Sequence, residues 1–272
     1  MLRAMFGLEI TSNPCEVIMK PACACHRLVM CFWYRSIMVI QRFSITVLLA
    51  IAASPVWGAR PFVTDDARLT TDGSCQLETW TRIYRDSTEF WALPACNPGG
   101  NLELTLGAGR AIYDEPGRSP NSDYVFQAKT LLRRLTPNDV GIGIAAGTVR
   151  HPAVNPGPNL LGNTYVYLPL SVSLADDALV VHVNAGWLRE TRTHRHLTTW
   201  GVGTEWNVSE RITWMAETFG DSHPNTYWQA GGRFSLIPQR LQVDATIGQN
   251  AGGMQASRWV SFGLRITPAS LF

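Results

Sequence analysis

The chain has 272 residues, of which 46% are hydrophobic and only 16% charged, with a formal net charge of +2. Soluble domains carry about 25% charged residues, yet no stretch here reaches the roughly 18 consecutive apolar residues of a membrane-spanning helix. The near-neutral balance argues against a nucleic-acid partner, which calls for a basic face. What remains for an apolar, charge-poor chain is a closed sheet, which pairs every backbone group inside a bilayer without helices.

Residues 1–37 carry Cys15, Cys23, Cys25 and Cys31, with His26 alongside, and show no period. Zinc ligands come in pairs separated by two to four residues; Cys23-Ala-Cys25 is too tight and lacks a partner pair, so no metal is expected. This extension reads as a start placed too early, with Met38 as the alternative. Residues 38–59 have a secretory-signal layout: basic Arg42, an apolar run through Ala53, and a small-residue exit, with cleavage near Gly58 or Ala59. Residues 60–74 are polar and either hang below the fold or enter it as a plug.

From Cys75 onward the pattern is period two, interrupted by Gly, Pro, Asn, Asp and Ser, in segments close to the 9–11 residues of a tilted transmembrane strand. Twelve strands are expected at 75–84, 88–95, 101–111, 123–133, 139–149, 163–174, 178–188, 196–206, 210–219, 226–236, 240–249 and 257–267. Leu102, Leu104, Leu106 and Ala108 alternate with Asn101, Glu103, Thr105 and Gly107, and Leu241, Val243, Ala245 and Ile247 with Gln242, Asp244, Thr246 and Gly248. A soluble sandwich also alternates, so connection lengths decide. Short turns at 134–138, 175–177, 207–209 and 237–239 take turns with longer loops at 112–122, 150–162, 189–195, 220–225 and 250–256. Outer-membrane barrels have tight periplasmic turns and long extracellular loops. Trp187, Trp228 and Tyr124 fall near the long loops and Trp206 near a short turn, as interfacial girdles require, whereas Trp200 and Trp214 read as mid-strand. Phe272, beyond the last strand, suits a C-terminal signal to the barrel-assembly machinery.

Outside the extension only Cys75 and Cys96 remain. If the first two strands join through a two-residue turn at Arg85 and Asp86, these cysteines face each other with Cβ atoms about 4.5–5.5 Å apart, and an oxidising periplasm favours a disulfide.

Three motifs invite chemistry. Gly141-Ile-Gly143-Ile-Ala-Ala-Gly147 resembles a dinucleotide loop, but the strand period runs through it with no helix behind; small inward residues of a barrel wall account for it. Asp221, Ser222 and His223 are consecutive in a loop, which does not suit a nucleophile and base held by a third group. His194 and His196 flank Arg195 as solvated loop histidines. No catalytic residue, cofactor or metal site is expected.

The alternation turns Glu78, Glu103, Glu205, Glu217 and Asp244 inward, together with Arg82, Lys129, Arg133, Arg233 and Arg265, and His182 among them. Five acids against five bases favour cross-strand pairs that narrow a lumen over a single-sign selectivity ring. A purely structural role for the pairs is an equal alternative.

Arg60-Pro-Phe-Val-Thr-Asp-Asp-Ala-Arg68, with Cys75-Gln-Leu-Glu-Thr-Trp80, resembles the opening of proteobacterial outer-membrane proteins filed as a phenol-degradation ("MetA-pathway") group. Ala216–Gly220, Gln242–Gly248 and Trp259–Arg265 are similar to that group's closing hairpins. The resemblance implies an outer-membrane barrel passing small, including aromatic, compounds, and carries no catalytic residues. The sequence thus reads as an all-β, closed antiparallel transmembrane barrel of about twelve strands over 75–272, in the Gram-negative outer membrane. Its expected partners are membrane lipid and a small solute. A salt-bridged structural barrel and a lipid-modifying enzyme at the rim near His223 are the alternatives.

Overall fold

The computed structural model describes residues 62–150, 164–190, 193–223, 226–253, 257–269 and 271. The expected extension and signal, Cys15, Cys23, Cys25, His26 and Cys31, and Phe272 lie outside the described residues.

The alternating segments form twelve strands: β1 (Ser74–Tyr84), β2 (Ser87–Asn97), β3 (Glu103–Tyr113), β4 (Asn121–Arg133), β5 (Val140–Arg150), β6 (Thr164–Leu174), β7 (Leu179–Glu190), β8 (Arg195–Asn207), β9 (Ile212–Asp221), β10 (Thr226–Ile237), β11 (Leu241–Asn250) and β12 (Trp259–Ile266). Each pairs antiparallel with its neighbours in the chain, and β1 pairs with β12, so the meander closes without a sheet edge. Closure satisfies the backbone, which leaves the side chains to separate by parity. Leu104 and Leu106 on β3 are exposed while Glu103 and Thr105 are buried. Ile247 on β11, Phe262 on β12 and Phe126 on β4 are likewise exposed, and Thr246, Ser261 and Val125 beside them are buried. Large apolar side chains facing outward around a closed sheet are the signature of a wall built for lipid. Among the described residues no helix is long and apolar enough to cross a membrane.

Connections at one end are tight. In the β6–β7 turn Ala175, Asp176 and Asp177 all adopt left-handed backbone (φ 51°, 54° and 65°), a conformation that costs L residues energy and is held here by side chains. Ser173 bonds Asp177, Asn138 bonds Asp176, and the Asn207 amide donates to the Asp177 carbonyl at 2.6 Å. The opposite end carries the long connections, apart from the two-residue turn Arg85–Asp86.

Trp214 differs from its expected mid-strand position. Because β9 begins at Ile212, Trp214 lies near the tight-turn end, directly across from Trp206, and both rings are exposed. They form part of the girdle at that rim.

Cys75 and Cys96 are cross-strand partners and form a disulfide. The crosslink closes a loop with a sequence separation of 21, for which loop entropy gives about 3 kcal/mol of stabilisation. The C75S/C96S variant should therefore unfold at lower urea concentration than the parent in phospholipid vesicles, with reductant reproducing the shift in the parent only.

Candidate channel lumen

The inward faces divide the interior into two tiers. Toward the long-loop end, Trp91, Ala111, Val125, Val149, Tyr165, Leu188 and Leu197 form one buried apolar cluster. Tyr84, Phe219 and Trp259 form a second, with Val63 and Tyr227 against it. Rings stack along the wall: Trp80 on Trp91 at 5.7 Å and Phe219 on Tyr227 at 5.8 Å between centroids. This tier is apolar although it faces the interior of the barrel. An inward side chain must be polar only where it meets water, and here the rings meet one another.

The tier toward the tight turns is charged. Glu103, Lys129, His182, Glu205, Glu217, Arg233, Asp244 and Arg265 are buried on inward faces, and Glu78 is nearly so, while Arg82, also buried, lies near the long-loop end of β1 beside Trp259. Arg133 is the exception. A bulge between Leu131 and Arg133 breaks the alternation of β4, so Arg133 is exposed at the strand end and ion-paired with Asp139 in the turn. Its hydrogen bond holds the Asp139 carboxyl below the usual range.

A segment that precedes β1 runs through this tier. Phe62, Thr64, Asp66, Ala67 and Thr70 are buried, and wall side chains hold the backbone of this strap. The Glu217 carboxylate accepts from Val63 N at 2.7 Å and Thr64 N at 2.8 Å. Ser171 Oγ accepts from Ala67 N at 2.8 Å, Glu103 from Thr70 N at 2.6 Å, and the Asn97 amide donates to the Thr70 carbonyl at 2.8 Å. A segment without a sheet partner leaves backbone N–H groups orphaned in a buried space, and these carboxylates and hydroxyls satisfy them. Its own side chains join the wall: Lys129 Nζ lies 2.9 Å from Asp65 and 3.3 Å from Asp66, and the Tyr167 hydroxyl donates to Asp65 at 2.7 Å.

Glycines make the seat. A Cβ on Gly201 would lie 2.5 Å from Thr64 Oγ1, and one on Gly141 3.1 Å from the Ala67 Cβ as well as against Leu135. The first glycine of the apparent dinucleotide motif thus accommodates the strap.

Glu205 is the hub of the charged tier. Arg233 lies at 3.1 Å, Arg68 of the strap at 3.5 Å and His182 Nε2 at 3.7 Å. Around it, Arg265 approaches Glu78 at 3.8 Å and Asp244 lies directly across from Arg233 in the register of β10 and β11, while Arg82 approaches Glu89 at 4.0 Å within the aromatic tier. Asp65, Asp66 and Arg68 complete this network and were not among the residues expected to line it. Strand alternation cannot reach a segment outside the sheet, although the polarity of residues 60–74 was the available signal.

Two constellations resemble catalytic relays. Ser171 Oγ lies 2.8 Å from His182 Nδ1, which stands beside Glu205; that hydroxyl caps the strap at Ala67 and is sealed beneath it. At the rim, Arg195 donates to His223 Nε2 at 3.1 Å and His223 Nδ1 faces Asp221 at 3.2 Å. Both ring nitrogens are thereby engaged by neighbours other than a nucleophile. His196 stacks on Trp187 at 5.5 Å, and among the described residues no group of three or more His, Cys, Asp or Glu side chains is placed to hold a metal ion.

A sequence search of curated proteins finds no match. Among solved structures the barrel resembles the KdgM porin, with a TM-score of 0.52 at 8% identity over 71% of this chain and 99% of that one. The NanC porin aligns with a TM-score of 0.48 at 9% identity, over 72% of this chain and 99% of that one. At such identities the first likeness speaks for the fold alone. A family profile matches residues 45–267, most of the chain, and by that match the protein belongs to the family described as Uncharacterised conserved protein UCP029691.

Proposed function

We propose that the protein is a channel of the Gram-negative outer membrane for small amphipathic molecules, aromatic ones included, with the strap as its constriction. The observation that carries this reading is the two-tier interior: a tier of buried rings toward the long-loop mouth, the candidate vestibule, above a charged layer crossed by a segment that is not part of the wall. A solute with an apolar ring and a polar group finds in the vestibule the surface that stacks on it, and below it charged groups that orient it. The shared architecture with a porin supports the channel class, and the resemblance of Arg60–Arg68 to the phenol-degradation group is in keeping with an aromatic solute. The lumen charges Glu78, Arg82, Glu103, Lys129, His182, Glu205, Glu217, Arg233, Asp244 and Arg265 set its selectivity in this reading; Arg133, outside the lumen, does not.

Liposomes carrying the full chain should swell faster in isotonic benzoate than in isotonic arabinose. Equal rates would remove the aromatic preference. The absence of swelling in both, from correctly inserted protein with and without the strap, would remove the channel. One observation favours a structural barrel instead: the lumen charges are drawn into mutual contacts around Glu205 and Lys129, as a filled interior requires. That reading expects luminal substitutions to lower stability and leave permeability flat.

A further inference from the structure

The outward-facing charges are distributed unequally between the two ends of the barrel. On the long-loop half, Arg110 of β3, Arg150 of β5 and Arg189 of β7 share the parity of the lipid-facing Leu106, Ile144 and Val183, and all three are exposed. Arg85 and Arg258, one residue beyond β1 and before β12, continue the same rows. Among the described residues no aspartate or glutamate lies at an outward position within the strands of this half. Asp86 and Asp114, one residue outside β2 and β3, are exposed and continue outward rows of those strands, Glu115 lies in the connection beyond, and Asp221 has the inward parity of Phe219. At the tight-turn end, Arg133, Arg134, Arg211 and Arg240 are interspersed with Asp139, Asp176, Asp177 and Glu210. Within the strands the long-loop half thus turns arginines outward without acids, and the acids of that rim sit at strand edges and in connections.

At one point this arginine-bearing rim is also concave. A depression of about 700 Å³ lies where β1, β12, β11 and β10 adjoin. Its floor is the outward row Ile83, Val260 and Ile247, which are mutual neighbours in the register and all exposed. Arg85, Arg258 and Trp228 stand around its upper edge. Gln249 accepts from Arg258 Nε at 2.9 Å and so steadies the guanidinium. Neither Arg85 nor Arg258 takes part in an ion pair among the described residues.

We propose that this depression is a binding site for an anionic, phosphate-bearing lipid of the leaflet on the long-loop side. Its acyl chain lies along Ile83, Val260 and Ile247, and its phosphate is held between Arg85 and Arg258. The remaining rim arginines extend the same preference around the wall. Three physical facts converge on that occupant. The surface faces lipid, so the ligand is an amphiphile. The arginines stand at the height of headgroups, where unpaired guanidinium groups seek phosphate oxygens that they can grip at two points. The indole of Trp228 belongs to that same interfacial layer. The site requires only that the barrel lie in a membrane, and it stands whether or not the lumen conducts.

Native mass spectrometry of the detergent-solubilised full chain, with dioleoylphosphatidylglycerol or dioleoylphosphatidylcholine added at equal concentration, reads the preference directly. The parent should retain the anionic lipid roughly thirtyfold better, the scale set by two interfacial arginines. R85Q/R258Q should lose most of that margin, and R133Q/R134Q at the opposite rim should keep it. Equal retention of the two lipids by the parent would overturn the site. So would an unchanged preference in R85Q/R258Q, or an equal loss in R133Q/R134Q. Folding of each variant is checked by heat-dependent gel mobility. The single variants R85Q and R258Q, each at an exposed side chain, carry the same comparison should the double variant not fold.

Discussion

Deleting residues 62–70 should raise single-channel conductance severalfold and move selectivity toward anions. The strap fills the charged tier, and its polar contacts to the wall end on side chains that belong to separate strands: Glu217 of β9, Ser171 of β6, Glu103 of β3 and Lys129 of β4. The wall is closed by its own backbone pairing and does not depend on the strap for continuity. Removing the segment therefore opens volume without opening the sheet. The sign of the selectivity change follows from what leaves: Asp65 and Asp66 depart with one cation, Arg68, so the lumen becomes more positive by one charge while Lys129 and Arg233 remain. Planar-bilayer recordings with a salt gradient measure both quantities. The milder variant E217A withdraws the acceptor from Val63 and Thr64 and should produce intermittent openings. Folded protein with unaltered conductance in the deletion would show that the strap is not the constriction.

Replacing Glu205 by leucine should be the most destabilising single substitution in the lumen. The carboxylate is buried among Arg233, Arg68 and His182, and a side chain of similar size without charge leaves two guanidinium groups buried with their principal anion gone. Breaking a buried pair from one side costs about 3–5 kcal/mol, much of it the desolvation of the abandoned partner. The urea midpoint of E205L in vesicles should fall accordingly. E205L/R233L should recover part of the loss, because the second substitution withdraws one stranded cation. If E205L unfolds with the parent, the pairing does not contribute to stability as described. If the double variant is weaker still, the pair interacts with the rest of the tier more than with itself.

Legibility from sequence followed the range over which each physical rule acts. Parity is local, so the strands and the inward placement of residues such as Glu217, Arg265 and His182 could be read from alternation alone. The facing of Cys75 and Cys96 needed only one turn length. Arg133 was misplaced because a bulge shifts parity by one, and nothing in Leu131-Leu-Arg133 marks where the extra residue sits. Trp214 was misplaced through a start two residues early in β9. The aromatic tier was not anticipated. Trp91, Tyr165 and Phe219 come from strands far apart in sequence, and only closure of the sheet brings them to a common height. The strap lay beyond any periodic rule, since its partners are set by the cross-section of the barrel and not by neighbours in the chain.

The position of the disulfide bears on how the strap can move. It joins β1 to β2 at the point where the strap departs, next to Gly73, whose N–H bonds the Asn97 carbonyl at 2.9 Å. A tug on the strap is therefore stopped at a riveted hinge and is not passed into the hairpin. Freed of its wall contacts, the strap should swing while the staves beside it stay zipped.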